Sequence, residues 1–61
     1  MAKPDMLQEY FYYTSSDGKI SSSFWNDDVF DRALFLTGNY AISKAELELK
    51  KEEIFKRYNL I

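Results

Sequence analysis

Asp27, Asp28 and Asp31 make the run with the most suggestive spacing in this 61-residue chain. Two adjacent carboxylates with a third one helical turn on is the Asp-Asp-x-x-Asp pattern that can hold magnesium against a diphosphate in prenyl-transfer enzymes. Such chemistry needs a deep helical cavity, which a chain this short cannot enclose. Acids in the first turn of a helix, near the positive end of its dipole, are the simpler reading. Ser21-Ser22-Ser23 offers hydroxyls, but no base or nucleophile-elbow glycines flank it, so a polar strand or loop accounts for it. The chain has no histidine and no cysteine. The commonest general base and the most reactive nucleophile are therefore missing, and so are the disulfide and the usual zinc ligands that staple many small domains. These residues predict no enzyme, no cofactor and no dedicated metal site.

Lys50, Lys51, Lys56 and Arg57 could together face phosphates. Three of the four have an acid one turn earlier, however: Glu46–Lys50, Glu52–Lys56 and Glu53–Arg57 are i,i+4 pairs in the favourable order. A paired acid cancels the charge that phosphate binding would use, so a solvated helix face is the first expectation and nucleic-acid binding the alternative. The formal net charge is −2. Residues 1–31 hold six acids and two bases, and residues 32–61 hold six bases and four acids. That polarity suits head-to-tail association or a weak anionic partner better than a dedicated nucleic-acid surface.

The aromatic side chains carry more information. Five Phe, five Tyr and one Trp can each bury roughly 150–250 Å², which makes a core feasible without staples. In an extended segment Phe11 and Tyr13 share one face while Tyr10 and Tyr12 share the other. A hairpin packed on one side of two helices buries only one of those faces. Phe35 falls between Asp28, Asp31 and Arg32 on its helix, Trp25 stands beside the helix cap, and Tyr40 lies in a turn. Exposed clustered aromatics are the usual anchors of interfaces. Tyr10, Tyr12, Trp25, Phe35 and Tyr40 are therefore the candidate partner-binding residues.

The elements that must position these groups follow from local pattern. Tyr10-Phe11-Tyr12-Tyr13-Thr14 has strand propensity, Ser15-Ser16-Asp17-Gly18 is a turn signal, and Ile20 to Phe24 is the returning strand. Pro4, Asp5, Met6, Leu7, Tyr10 and Phe11 also fit helical spacing, so an all-α three-helix arrangement is the alternative. A helix is predicted over about 27–37, capped by Asn26. Its apolar face is Val29, Phe30, Ala33, Leu34 and Leu36, it carries an Asp28–Arg32 pair, and Gly38 is its left-handed C-terminal cap. A second helix is predicted over about 44–58. Ser43 and Glu46 form its capping box, and Leu47, Ile54, Tyr58 and Ile61 make a narrow stripe with Phe55 at its edge. Residues 1–6 read as a tail on a single small domain. No apolar run approaches a membrane span, and the N-terminus lacks the apolar stretch of a signal peptide, so a cytoplasmic location is expected.

The run Ala41-Ile42-Ser43-Lys44-Ala45-Glu46-Leu47-Glu48-Leu49-Lys50-Lys51-Glu52-Glu53-Ile54-Phe55 resembles the core of the short C-terminal domain family (SHOCT). That family's pattern is roughly Gly-x-Ile-Thr-x-x-Glu-Phe-x-x-Lys-Lys-x-x-Leu-Leu. Ile42, Ser43, Glu46, Leu47, Lys50, Lys51, Ile54 and Phe55 match it identically or conservatively. The family's glycine is displaced here: Tyr40 stands in its place and Gly38 lies two residues earlier. The resemblance covers about residues 30–57 and implies a helical hairpin acting as an interaction or oligomerisation module; a nucleic-acid role is also suspected for the family.

The expected fold is α+β, an N-terminal β-hairpin packed on two short helices. The expected function is a non-enzymatic protein-interaction module, working by homo-oligomerisation or by docking on a larger protein. A chain of this size without catalytic equipment would suit a bacterial or phage accessory or regulatory factor. No membrane partner and no small-molecule substrate are expected.

Overall fold

The computed structural model describes residues 3–58. Strands β1 (Glu9–Tyr13) and β2 (Ile20–Phe24) form an antiparallel hairpin in which Tyr10 faces Ser23, Phe11 faces Ser22 and Tyr12 faces Ser21. The connection tightens at Ser15-Ser16-Asp17-Gly18. There the Ser15 carbonyl accepts from the Gly18 N–H at 3.3 Å, and Gly18 takes φ 90°, a conformation glycine adopts without steric cost. Helix α1 (Val29–Thr37) follows, then α2 (Lys44–Leu49) and α3 (Lys51–Arg57). The hairpin-plus-helices architecture is α+β, as the pattern predicts, and the all-helical alternative does not form.

The hairpin has more cover than a hairpin on one helical layer. Phe11 and the adjacent segment exchange backbone bonds: Phe11 N–H to Ala41 O at 2.8 Å and Ala41 N–H to Phe11 O at 3.0 Å. One pleat further on, the Asn39 side chain takes the place of a neighbouring strand. Its Oδ1 accepts from the Tyr13 N–H and its Nδ2 donates to the Tyr13 carbonyl, both at 2.9 Å. β1 is thus central, with β2 on one edge and residues 39–41 on the other.

Each face of β1 has its own small core. Phe11, Tyr13 and Ile20 point to a cluster with Ala41, Leu47, Ile54 and Phe55 from the α2–α3 side. Tyr10 and Tyr12 point the opposite way, to Trp25, Leu34, Phe35 and Tyr40 on the α1 side. Edge-on ring contacts join each set, Tyr13 to Phe55 at 5.2 Å and Tyr10 to Trp25 at 6.0 Å between centroids. Such pairs add about 0.5–1.5 kcal/mol beyond the area they bury. The expectation that only one hairpin face could be covered is corrected here, because α1 and α2–α3 pack on opposite faces.

Both helix predictions need revision. The N-cap of α1 is Asp28, not Asn26: Asp28 Oδ1 accepts from the Asp31 N–H at 2.9 Å, and the Asp31 side chain reaches back to the Asp28 N–H. Asn26 lies too early, because Asp27 turns through φ 58° before the helix begins. Gly38 closes α1 at φ 78°, as expected. The predicted helix over 44–58 divides at Lys50, whose N–H donates to Leu47 O at 3.1 Å in a tightened turn. A tie from Lys50 Nζ to the Tyr40 carbonyl at 2.8 Å holds that turn. Ser43 Oγ does cap α2, accepting from the Glu46 N–H at 3.2 Å. Of the predicted stripe, Leu47 and Ile54 are buried with Phe55, Tyr58 is exposed, and Ile61 lies outside the described residues.

At the N-terminal end, the Asp5 carbonyl accepts from Gln8 at 3.0 Å and the Leu7 N–H donates to Trp25 O at 2.7 Å. Met1 and Ala2 of the expected tail lie outside the described residues. Among the described residues no helix is long and apolar enough to cross a membrane.

Candidate functional site

Three of the five aromatics expected to meet a partner are core. Tyr10 is 0% exposed, Trp25 2% and Tyr40 5%, and Tyr12 and Phe35 are half-buried against them. The second core on the α1 side absorbs the aromatic surplus that had argued for an interface. Phe35 in particular stacks inward, 6.3 Å from Trp25 and 5.6 Å from Tyr40 between centroids.

The acidic run is divided among different tasks. Asp27 pairs with Arg32 at 3.1 Å and lies 4.0 Å from Lys3, so Arg32 does not pair with Asp28 as predicted. The hydrogen bond from Arg32 is the main reason the Asp27 carboxyl is held below its ordinary value. Asp28 caps α1. Asp31 is buried, and it accepts from the Tyr10 hydroxyl, from the Asn26 N–H at 2.6 Å and from the Asp28 N–H at 3.4 Å. Burial alone would push the Asp31 carboxyl up. The bonds from Tyr10 and the two backbone amides outweigh it, and the group stays below the usual carboxylate range. Tyr10 is shifted the opposite way, upward, by burial first and by the Asp31 carboxylate second. No three His, Cys, Asp or Glu side chains among the described residues come together as metal ligands.

The basic residues are largely engaged within the molecule. Lys50 holds the Tyr40 carbonyl and lies 4.9 Å from that ring's centroid, and Lys51 stands 5.5 Å from the Phe55 ring. Arg57 donates to the Thr37 carbonyl at 3.1 Å and lies 3.6 Å from Glu53. The expected Glu53–Arg57 pair forms, whereas the Lys50 ammonium goes to Tyr40 instead of Glu46. Lys56 is exposed on α3.

What the fold does present is the outer face of α1. At 100° per residue, the buried Asp31 and Leu34 and the half-buried Phe35 centre on one side of the helix. Val29, Ala33 and Leu36 centre on the other. Val29 is 84% exposed, Leu36 79% and Phe30 49%. The apolar face predicted to be the helix's core side is therefore turned outward, by roughly 150° on the helical wheel. Asp31 on the inner side accepts from the Tyr10 hydroxyl of β1, a bond that ties this side of α1 to the sheet. Only Leu34 of the predicted apolar face is buried.

Phe30 joins this stripe to a groove of about 460 Å³ lined by Tyr12, Leu34, Asn39, Phe55 and Tyr58 among others. The Phe30 ring meets Tyr12 edge-on at 5.3 Å. The polar atoms at the groove floor are already satisfied, since Asn39 is bonded to the Tyr13 backbone. The surface is thus apolar and aromatic. Reasoning from the sequence missed Val29, Ala33 and Leu36 as surface residues. The Asp28-x-x-Asp31 spacing, a capping box, is the local signal that places the N-cap at Asp28 and not Asn26; the outward facing of Val29, Ala33 and Leu36 has no such local signal.

No family model, curated protein or solved structure matches the chain.

Proposed function

We propose that this chain is a small non-enzymatic interaction module, working in the cytoplasm by docking on a larger protein through the outer face of α1. The observation that carries the reading is the contiguous exposure of Val29, Leu36 and Phe30 beside the Phe30–Tyr58 groove. Scattered exposed apolar residues are ordinary, but a connected patch on one helix face running into an aromatic groove is what partner surfaces look like. The resemblance of the second half to the SHOCT family, which implies an interaction module, points the same way. Nucleic-acid binding gains less support, because Lys50, Lys51 and Arg57 make contacts within the molecule that compete with phosphate.

The test is a photo-crosslinking residue at Leu36, compared with one at Glu48, in cells that naturally make the chain. The reading expects discrete adducts from position 36 that are lost when Val29 is changed to Glu, and none from position 48. Equal labelling at both positions, or none at either, would remove α1 as the docking face.

A further inference from the structure

The outer edge of β2 is open, and its sequence is matched to itself. Hydrogen-bonded pairs alternate along an antiparallel ladder. Trp25 N–H meets Gln8 O at 2.9 Å and Thr14 N–H meets Lys19 O at 2.9 Å, which in this register makes Tyr10–Ser23 and Tyr12–Ser21 the bonded pairs between them. The same alternation turns the Phe11 and Tyr13 backbone toward Ala41 and Asn39, as observed. On β2 it turns the N–H and C=O groups of Ile20, Ser22 and Phe24 outward, and no described residue bonds to them. Ser21 and Ser22 are exposed along this edge, and Phe24 is 56% exposed.

Natural sheets blunt such an edge with a charge, a proline or a bulge. Ile20-Ser21-Ser22-Ser23-Phe24 has no charged residue and no proline, and its pairing with β1 runs without a bulge. We infer that β2 pairs antiparallel with β2 of a second copy of this chain, about a two-fold axis at Ser22. In that register Ser22 faces Ser22, and Ile20 faces Phe24 of the second copy, so every outward backbone group finds a partner. Ser21 faces Ser23, small against small. The aliphatic and aromatic side chains form cross-strand pairs at both ends of the contact. The nearest charge beyond one end of β2 is Lys19 and beyond the other is Asp27, so the antiparallel arrangement brings opposite signs to each end. A single strand pair covers less than the roughly 800 Å² per partner of a standard interface, which places the dimer in the weak class. The contact uses a different surface from α1 and does not depend on the docking reading.

Amide exchange measured residue by residue by NMR, at low and high protein concentration, tests this together with the mass in solution. The expected result is a doubling of mass with concentration and slowed exchange at Ile20, Ser22 and Phe24, while Ser21 and Ser23 are protected throughout. Ser22→Pro removes an N–H that the hairpin ladder does not use, so this variant should keep the fold's circular dichroism and stay monomeric. Should Ser22→Pro fail to fold, Ser22→Lys sets two like charges opposite each other and should weaken the dimer several-fold. A monomer at millimolar concentration overturns the inference. So does a dimer whose exchange at Ile20, Ser22 and Phe24 is unchanged, or one that survives in the folded variants.

Discussion

Replacing Tyr10 by Phe keeps the buried ring and removes only the hydroxyl that donates to Asp31. A hydrogen bond to a charged group contributes about 1.5–3 kcal/mol, so Tyr10→Phe should lower the urea midpoint by a corresponding amount. The same pair gives stability a pH dependence of definite sign. The folded protein holds the Asp31 proton less tightly than the unfolded chain does, so acid favours unfolding. That stabilisation is complete above the ordinary carboxylate value, about 4, and is lost as pH falls through the lower folded value. Tyr10 acts at the opposite end: the folded state keeps its proton longer, so stability declines as pH rises above about 10. Urea midpoints from pH 7 to pH 2 should fall more steeply for the native sequence than for Asp31→Asn; parallel curves would contradict this. Asn39 is the other residue whose side chain substitutes for backbone. Asn39→Ala leaves both Tyr13 groups unpaired and should cost about 1–3 kcal/mol for each group that water cannot reach.

Gly38 ends α1 at φ 78°, and a Cβ there would run into the Arg57 guanidinium. Gly38→Ala should therefore cost about 1 kcal/mol or more, measurable as a drop in thermal midpoint, and it should also disturb the Arg57–Thr37 tie that joins α3 to α1. Asp28→Ala should cost about 0.5–2 kcal/mol as a lost N-cap. Much at this scale was legible in the sequence, for local reasons. Aromatic residues, a Ser-Ser-Asp-Gly turn and a polar returning strand specify the hairpin within a few residues of chain. Gly38 and Ser43 mark where α1 stops and α2 begins. The facing of α1 was not legible, because the bond that ties its inner side to the sheet, from Tyr10 to Asp31, is long-range. The break at Lys50 was hidden for the same reason, since its ammonium is tied to a carbonyl ten residues earlier.

For the molecule as a whole, a central strand covered on both faces explains how a chain with no cysteine and no histidine uses so many aromatics. The same arrangement decides what is left for a partner. Tyr10, Trp25 and Tyr40 are withdrawn into the core, and the apolar side of α1 is offered instead. The facing of α1 therefore underlies both the packing and the proposed docking surface, and the unfolding stability of the double variant Val29→Lys, Leu36→Lys tests it most directly. With these residues outward, the variant should unfold within about 0.5 kcal/mol per site of the native sequence, as surface substitutions do. With α1 turned as its amphipathic pattern suggests, each substitution would bury a charge in the core, and a loss of several kcal/mol or outright failure to fold would contradict the account.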